Sequence, residues 1–258
     1  MKLQLLPSTF GENGAASPKQ HLTCFVVDDC VAFDAGSLAM ASSPLQKQQI
    51  RDIVLSHAHL DHIAGLPLFL DDLFANLTEP VRIHAEATVI EILERDIFNW
   101  SVYPRFSELS NSDGAVMEFH SFIPDTEFEV RHLAVKALSV NHKVPSAGFV
   151  VSDGAAKFVL TGDTAAMNGF WDTVNEIDGL SALLIECAFP DELKELAQIS
   201  HHLTPSGLKL ELAKFQQRDC PVYVVNVKPA YYERTVSQVN ALGIENLQLL
   251  DVGRVYEW

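Results

Sequence analysis

The sequence predicts an α/β fold, and three observations carry that prediction. Short apolar, β-branched runs alternate with stretches whose apolar residues recur three or four apart. The residues suited to metal binding or proton transfer stand just after the strand-like runs, and a layered α/β fold gathers such positions at one edge. A chain of 258 residues with 48% hydrophobic content also has ample core for one compact domain spanning 1–258.

The chain opens with a strand and a loop through residue 20. Thr23–Val27 and Val31–Phe33 then flank Asp28-Asp29, a hairpin that ends at Asp34-Ala35-Gly36. Ser43-Pro44 opens a short helix over 44–51, and Asp52–Ser56 reads as a buried strand. Leu66, Phe69, Leu70, Leu73, Phe74 and Leu77 predict a helix over 63–77. Val81–His84 is a strand, followed by a helix on Val89, Ile90, Leu93, Ile97 and Phe98. The aromatic-rich Asn99–Phe106 loop either walls a pocket for a flat base or caps a surface. Met117–His120 and Glu127–Val140 give strands, in which His84, His120 and His132 are read as structural. Phe149–Val151 and Lys157–Leu160 make a hairpin around Asp153-Gly154, leading to Thr161-Gly162-Asp163-Thr164. Helices over 165–176 and 190–199 enclose the strand Ala182–Ile185, which ends in Glu186. Thr204 caps a further helix with Pro205 at its first position, and Val222–Val225 is the last strong strand before a helix over 231–242.

The densest chemistry is His57-Ala58-His59-Leu60-Asp61-His62, on a strand-to-helix loop where alternate side chains can converge on a cation. His142, Asp163, Glu186, His202 and Asn226 also follow strands. Imidazoles with carboxylates select Zn²⁺, with Mn²⁺ or Fe²⁺ as alternatives. Two such ions about 3.5–4 Å apart clamp an in-line displacement at phosphorus, provided one carboxylate bridges them. The formal charge of −16, from 18 Lys+Arg against 34 Asp+Glu, argues against tRNA or DNA along a broad face and leaves a small anion at a metal site. Cys24, Cys30, Cys187 and Cys220 show no CxxC pair and read as thiols. No run reaches the length of a membrane span and the start lacks a signal-peptide pattern, so a cytoplasmic protein is expected. The acidic surface is compatible with a homodimer.

These motifs resemble the metallo-β-lactamase-fold hydrolases, whose H-x-H-x-D-H signature stands here as His57, His59, Asp61 and His62. The resemblance implies a four-layer αββα metallo-β-lactamase-like sandwich. Within that superfamily the chain is most similar to the class II cyclic-nucleotide phosphodiesterases. Asp34-Ala35-Gly36, His57 to Gly65, Phe98-Asn99 through Pro104, Glu186-Cys187, His202-Leu203-Thr204-Pro205 and Val227-Lys228-Pro229 match its segments in order. The resemblance implies that His57, His59 and His142 hold one ion, that Asp61 and His62 hold a second, and that Asp163 bridges both. It also implies catalysis by Asp61, His202 and Glu186, with His202 protonating the leaving oxygen as in the related tRNA 3′-processing nucleases, and with a metal-bridged hydroxide as nucleophile. The substrate so implied is a small phosphodiester, a 3′,5′-cyclic nucleotide. A tRNase Z-like nuclease, a thioester hydrolase and a non-catalytic metal- or nucleotide-binding sensor are the alternatives. Asn226 stands where the family carries its last histidine ligand, and an amide is the poorer zinc ligand, so the second ion is expected to be weakly held, completed by water, or a harder ion such as Mn²⁺. His201 is a substitute ligand to be weighed.

Overall fold

Alternation of strand and helix produces two seven-stranded mixed sheets, each with its own helices and core, in a computed structural model that describes residues 1–258. The chain divides into two units, Met1–Ile123 with Val252–Glu257, and Pro124–Asp251 with Trp258.

In the first unit, β1 (Lys2–Leu5), β2 (Phe25–Val27) and β3 (Val31–Phe33) pair antiparallel. β4 (Asp52–Val54) and β5 (Val81–Glu86) continue from β3 in parallel, and past a separate small hairpin, β6 (Ser110–Asn111) and β7 (Gly114–Ala115), β8 (Met117–Phe122) closes that edge. Parallel neighbours need crossovers, and helices supply them here. After α1 (Leu38–Ala41), α2 (Pro44–Gln49) carries β3 into β4, started by a capping box in which Ser43 and Gln46 serve each other's backbone N–H. The helix expected over 63–77 is instead α3 (Leu60–Ile63), α4 (Leu66–Leu73) and a 3₁₀ turn. The break between α3 and α4 falls where Gly65 N donates to Ala35 O, while Asp61 O, its partner in a continuous helix, accepts Thr23 N; a Cβ on Gly65 would lie 2.5 Å from that Ala35 oxygen, so the approach needs glycine. α5 (Ala87–Ile92) follows β5 and runs into a π-helical turn that ends at Ile97. Leu66, Phe69, Ile83, Leu93 and Phe98 share one buried cluster. The expected aromatic loop divides accordingly: Phe106 is buried, while Trp100 stays 58% exposed.

In the second unit, β9 (Glu127–Val130), β10 (Leu133–Ser139), β11 (Ala147–Ser152) and β12 (Lys157–Leu160) form an antiparallel meander. The turn between β11 and β12 follows the expected chemistry, with Asp153 Oδ1 accepting from Ala155 N and Ala156 N and Gly154 at φ 89°. β13 (Ala182–Glu186), β14 (Val222–Val225) and β15 (Leu247–Leu249) then add in parallel. Every residue of β13 and β14 is buried, as strands covered on both faces require. Of the helices α6 (Phe170–Asn175), α7 (Lys194–Ser200), α8 (Pro205–Leu212) and α9 (Tyr232–Ala241), α6 starts later than the expected 165. The residues before it are held by side chains: Met167 N and Trp171 Nε1 both donate to the buried Glu211 carboxylate on α8. Thr204 caps α8 through the Gly207 N–H, as its sequence indicated. β15 and the last strand, Val255–Glu257, were not foreseen, because three-residue strands with a polar member show no readable period.

His84 is structural, as expected. Its Nε2 lies 2.9 Å from Asp52, whose carboxylate also accepts Arg82 Nε at 2.8 Å and Nη2 at 2.7 Å. Burial opposes ionisation of Asp52, yet the bonds to Arg82 and His84 win and hold it well below the usual carboxylate range. A carboxyl held below its unfolded value of about 3.9 contributes stability above that pH and loses it as pH falls toward the folded value. The urea midpoint should therefore decline as pH drops from about 5 to 2.5, and Asp52→Asn should start lower at pH 7 and lose less on the same acidification.

Candidate metal centre

The histidine cluster leaves β4 through Leu55 and Ser56 and enters α3, with His59 as its N-cap residue. A buried aspartate organises it. Asp34, just past β3 at φ 58°, accepts from Ser56 N at 2.8 Å and from Ser56 Oγ at 2.9 Å through Oδ1, and its Oδ2 lies 2.7 Å from His62 Nδ1. An ionised carboxylate only accepts, so His62 carries its proton on Nδ1. Ser56 has one hydroxyl proton, which goes to Asp34, so the 2.9 Å contact between Ser56 Oγ and His57 Nδ1 makes the His57 ring the donor. Both rings thereby keep the Nε2 lone pair, the tautomer a metal ligand needs. Their centroids are 4.2 Å apart, His59 lies 4.6 Å from His57, and Asp61 Oδ2 is 3.9 Å from His62 Nε2.

Backbone contacts clamp this loop to the end of β3. Thr23 N donates to Asp61 O, Gly36 N to Thr23 O, Ala35 N to His62 O and Gly65 N to Ala35 O, at 2.7–3.0 Å. A Cβ on Gly36 would lie 2.0 Å from Asp61 O. The Asp34-Ala35-Gly36 strand end and Gly65 are thus the seat of the loop.

In the second unit, single donor atoms of His142, Asp163 and His202 lie within 4.8 Å of one another. His142 Nδ1 is 3.1 Å from the His201 carbonyl, which can only accept, so its lone pair is again on Nε2. Asp163 follows β12 after Gly162 at φ 62°, and its Oδ1 accepts the amide Nδ2 of Asn226, which stands after β14 at φ 57°. His202 Nδ1 lies 2.7 Å from Glu186 Oε1 and 4.0 Å from Asp163 Oδ2. Glu186 is fully buried at the end of β13 and accepts Thr164 N through Oε1 and Ala188 N and Leu203 N through Oε2. Burial works against a charged His202, but the Glu186 bond and charge, with Asp163 behind them, raise its pKa above the ordinary imidazole value.

Each unit therefore assembles its share of the expected residues: His57, His59, Asp61 and His62 in one, and His142, Asp163, His202, Glu186 and Asn226 in the other. His201 is not among them, since its ring faces Asn141 Oδ1 at 3.0 Å and only its carbonyl serves the cluster. Ser56 and the His201 carbonyl were missed. Neither carries a sequence signal, because a serine after a strand and a backbone oxygen look the same anywhere.

Comparison with known proteins places this arrangement. The family described as the beta-lactamase superfamily domain matches residues 26–224. The chain belongs to the beta-lactamase superfamily. A probable 3′,5′-cyclic-nucleotide phosphodiesterase of Yersinia pestis is 25% identical over 77% of this chain and 66% of its own length. A 3′,5′-cyclic-nucleotide phosphodiesterase of Aliivibrio fischeri is 28% identical over 66% of this chain and 54% of its own, so the match spans under two thirds of these relatives. A nuclear ribonuclease Z of Triticum aestivum is 28% identical over 54% of this chain and 81% of its own. Unliganded yeast PDE1 superposes with a TM-score of 0.77 at 16% identity, covering 98% of both chains, and shares the metallo-β-lactamase fold.

For this superfamily member the donor chemistry fits a divalent ion. Buried imidazoles fixed as Nε2 donors beside carboxylates are a zinc-type set, and apolar surroundings alone would make such a concentration of polar groups costly. Asp34→Asn should keep the left-handed backbone and the fold while weakening zinc retention about 10- to 100-fold, read by chelator competition.

Proposed function

We propose that this protein is a metal-dependent phosphodiesterase acting on a small phosphodiester such as a 3′,5′-cyclic nucleotide. The observation that carries this reading is the buried Glu186–His202 pair beside Asp163 and His142, a proton donor held next to a cation-binding set. In this reading His57, His59 and His142 hold one ion, Asp61 and His62 a second, and Asp163 serves both; Zn²⁺ suits the donors best, with Mn²⁺ or Fe²⁺ as alternatives. Such ions supply Lewis acidity and an acidified water when bound.

The protein's own residues do the rest. Glu186 fixes the His202 ring by holding Nδ1, so the second proton of the charged ring sits on Nε2 and is available to an expelled alkoxide. Four donors converge on the Glu186 carboxylate, which keeps it an acceptor and leaves the proton on the imidazole. Asp34 and Ser56 hold His62 and His57 in one tautomer, so no rearrangement is needed before a cation is bound.

The phosphodiesterase relatives support the substrate class, and the −16 charge opposes a long polyanion. A ribonuclease reading is second, supported by the wheat relative. A cytoplasmic setting suits the buried Cys24, Cys187 and Cys220, whose pKa values burial raises.

The decisive assay offers cyclic AMP, bis(p-nitrophenyl) phosphate, a 3′-extended tRNA and a thioester to the metal-loaded protein side by side. Hydrolysis of the first two is expected; activity on the thioester alone would overturn the proposal, and preference for the tRNA would promote the second reading. His202→Ala should cost about 100-fold or more in kcat with metal content unchanged. Loss of metal in that variant would make His202 a ligand instead.

A further inference from the structure

The amide of Asn226 faces Asp163 with its nitrogen. The assignment is chemically forced, since a carboxylate can only accept and the amide oxygen has no proton to give. An amide NH₂ has no lone pair to offer a cation, so the Asn226 atom that faces Asp163 is a hydrogen-bond donor and not a ligand. Its backbone reinforces the arrangement: at φ 57° it occupies the left-handed region that asparagine tolerates, directly after β14, whose residues are all buried. The bond also draws on the electron density of Oδ1, the atom Asp163 would otherwise lend to a metal. Asp163 Oδ2 remains on the side of His202, 4.0 Å from its Nδ1, in the same cluster as His142.

We propose that Asn226 is a positioning residue that sets metal stoichiometry: by hydrogen-bonding Asp163 Oδ1 it reserves the carboxylate for one tightly bound divalent ion and leaves a second ion weakly held. This rests on the metal-centre reading above and deepens it, because it assigns Asn226 the role of hydrogen-bond donor in place of ligand. The distinction matters for the sign of a substitution. If Asn226 were an oxygen ligand, removing its side chain would loosen the second ion; if it is a donor competing for Asp163, removal releases Oδ1 and that ion binds more tightly. Replacement by an imidazole would both release Oδ1 and add a nitrogen donor at a position whose left-handed backbone histidine also tolerates.

The test is calorimetric titration of the metal-free protein with Zn²⁺, with bound metal counted by mass spectrometry after dialysis. The wild type should show one tight event and a second at least 100-fold weaker, retaining close to one ion per chain. Asn226→Gly, which suits the left-handed backbone, and Asn226→Ala should both tighten the second event. Asn226→His should tighten it about 10- to 100-fold and raise the retained metal toward two, a change of the size that neighbouring groups impose on metal sites. Two equally tight events in the wild type would overturn the proposal. So would an unchanged or weaker second event in both the Gly and Ala variants with far-UV spectra and unfolding midpoints preserved, and if Ala fails to fold, the Gly variant decides. Because the readout is metal alone, failure here is separate from failure of the phosphodiesterase reading, which is judged by hydrolysis of the loaded wild type.

Discussion

The Asp34 carboxylate is the constraint on which the histidine loop depends. It is buried to 2% exposure at the end of β3, and it is satisfied only when Ser56 and His62 meet it together. A buried carboxylate without partners would cost several kcal/mol, on the order of the penalty for an uncompensated ion. The loop therefore has one low-energy path, and that path fixes two imidazole tautomers. Gly36 and Gly65 make the path sterically open, since a Cβ at either would come within 2.5 Å of a carbonyl oxygen. Backbone geometry and metal chemistry are thus set by one packing event.

The second unit reaches the same end by a different route. Its orienting acceptors are a backbone carbonyl for His142 and the Glu186 carboxylate for His202, and Glu186 is itself saturated by backbone N–H groups. Non-glycine residues in the left-handed region recur here and in the first unit: Asp34, His201 and Asn226 all adopt φ of 56–58°. Each departs from relaxed backbone at about 1 kcal/mol or more, tolerable only where the surroundings over-determine it. In each case the turn redirects a polar group, whether the Asp34 carboxylate, the His201 carbonyl or the Asn226 amide, toward a functional side chain.

Much of this was legible in the sequence. Strand positions follow from short β-branched runs, and the polar residues after them do gather within each unit. The helix over 63–77 was misread as continuous because apolar period reports which face is buried but not the close backbone approach at Gly65 that divides it. His201 and His202 could not be told apart from sequence, since adjacent residues have no period; the left-handed turn at His201 decides which ring faces inward. At Asn226 the residue type was readable and its orientation was not, because that orientation depends on a carboxylate 63 positions away.

Charge links metal binding to the size of the substrate. A formal charge of −16 attracts divalent cations and repels phosphate, but at physiological salt both effects fade beyond about 8 Å. A small phosphodiester carries one charge and meets little of the repelling surface, and a bound cation offsets it locally. A polynucleotide adds about one charge per 1.7 Å and would face that surface along its length with no basic run to offset it. On the proposed reading, the acidic excess that attracts divalent ions also disfavours an extended substrate. On the same reading, a ribonuclease role would need a basic docking surface, and the excess of 34 Asp+Glu over 18 Lys+Arg weighs against one.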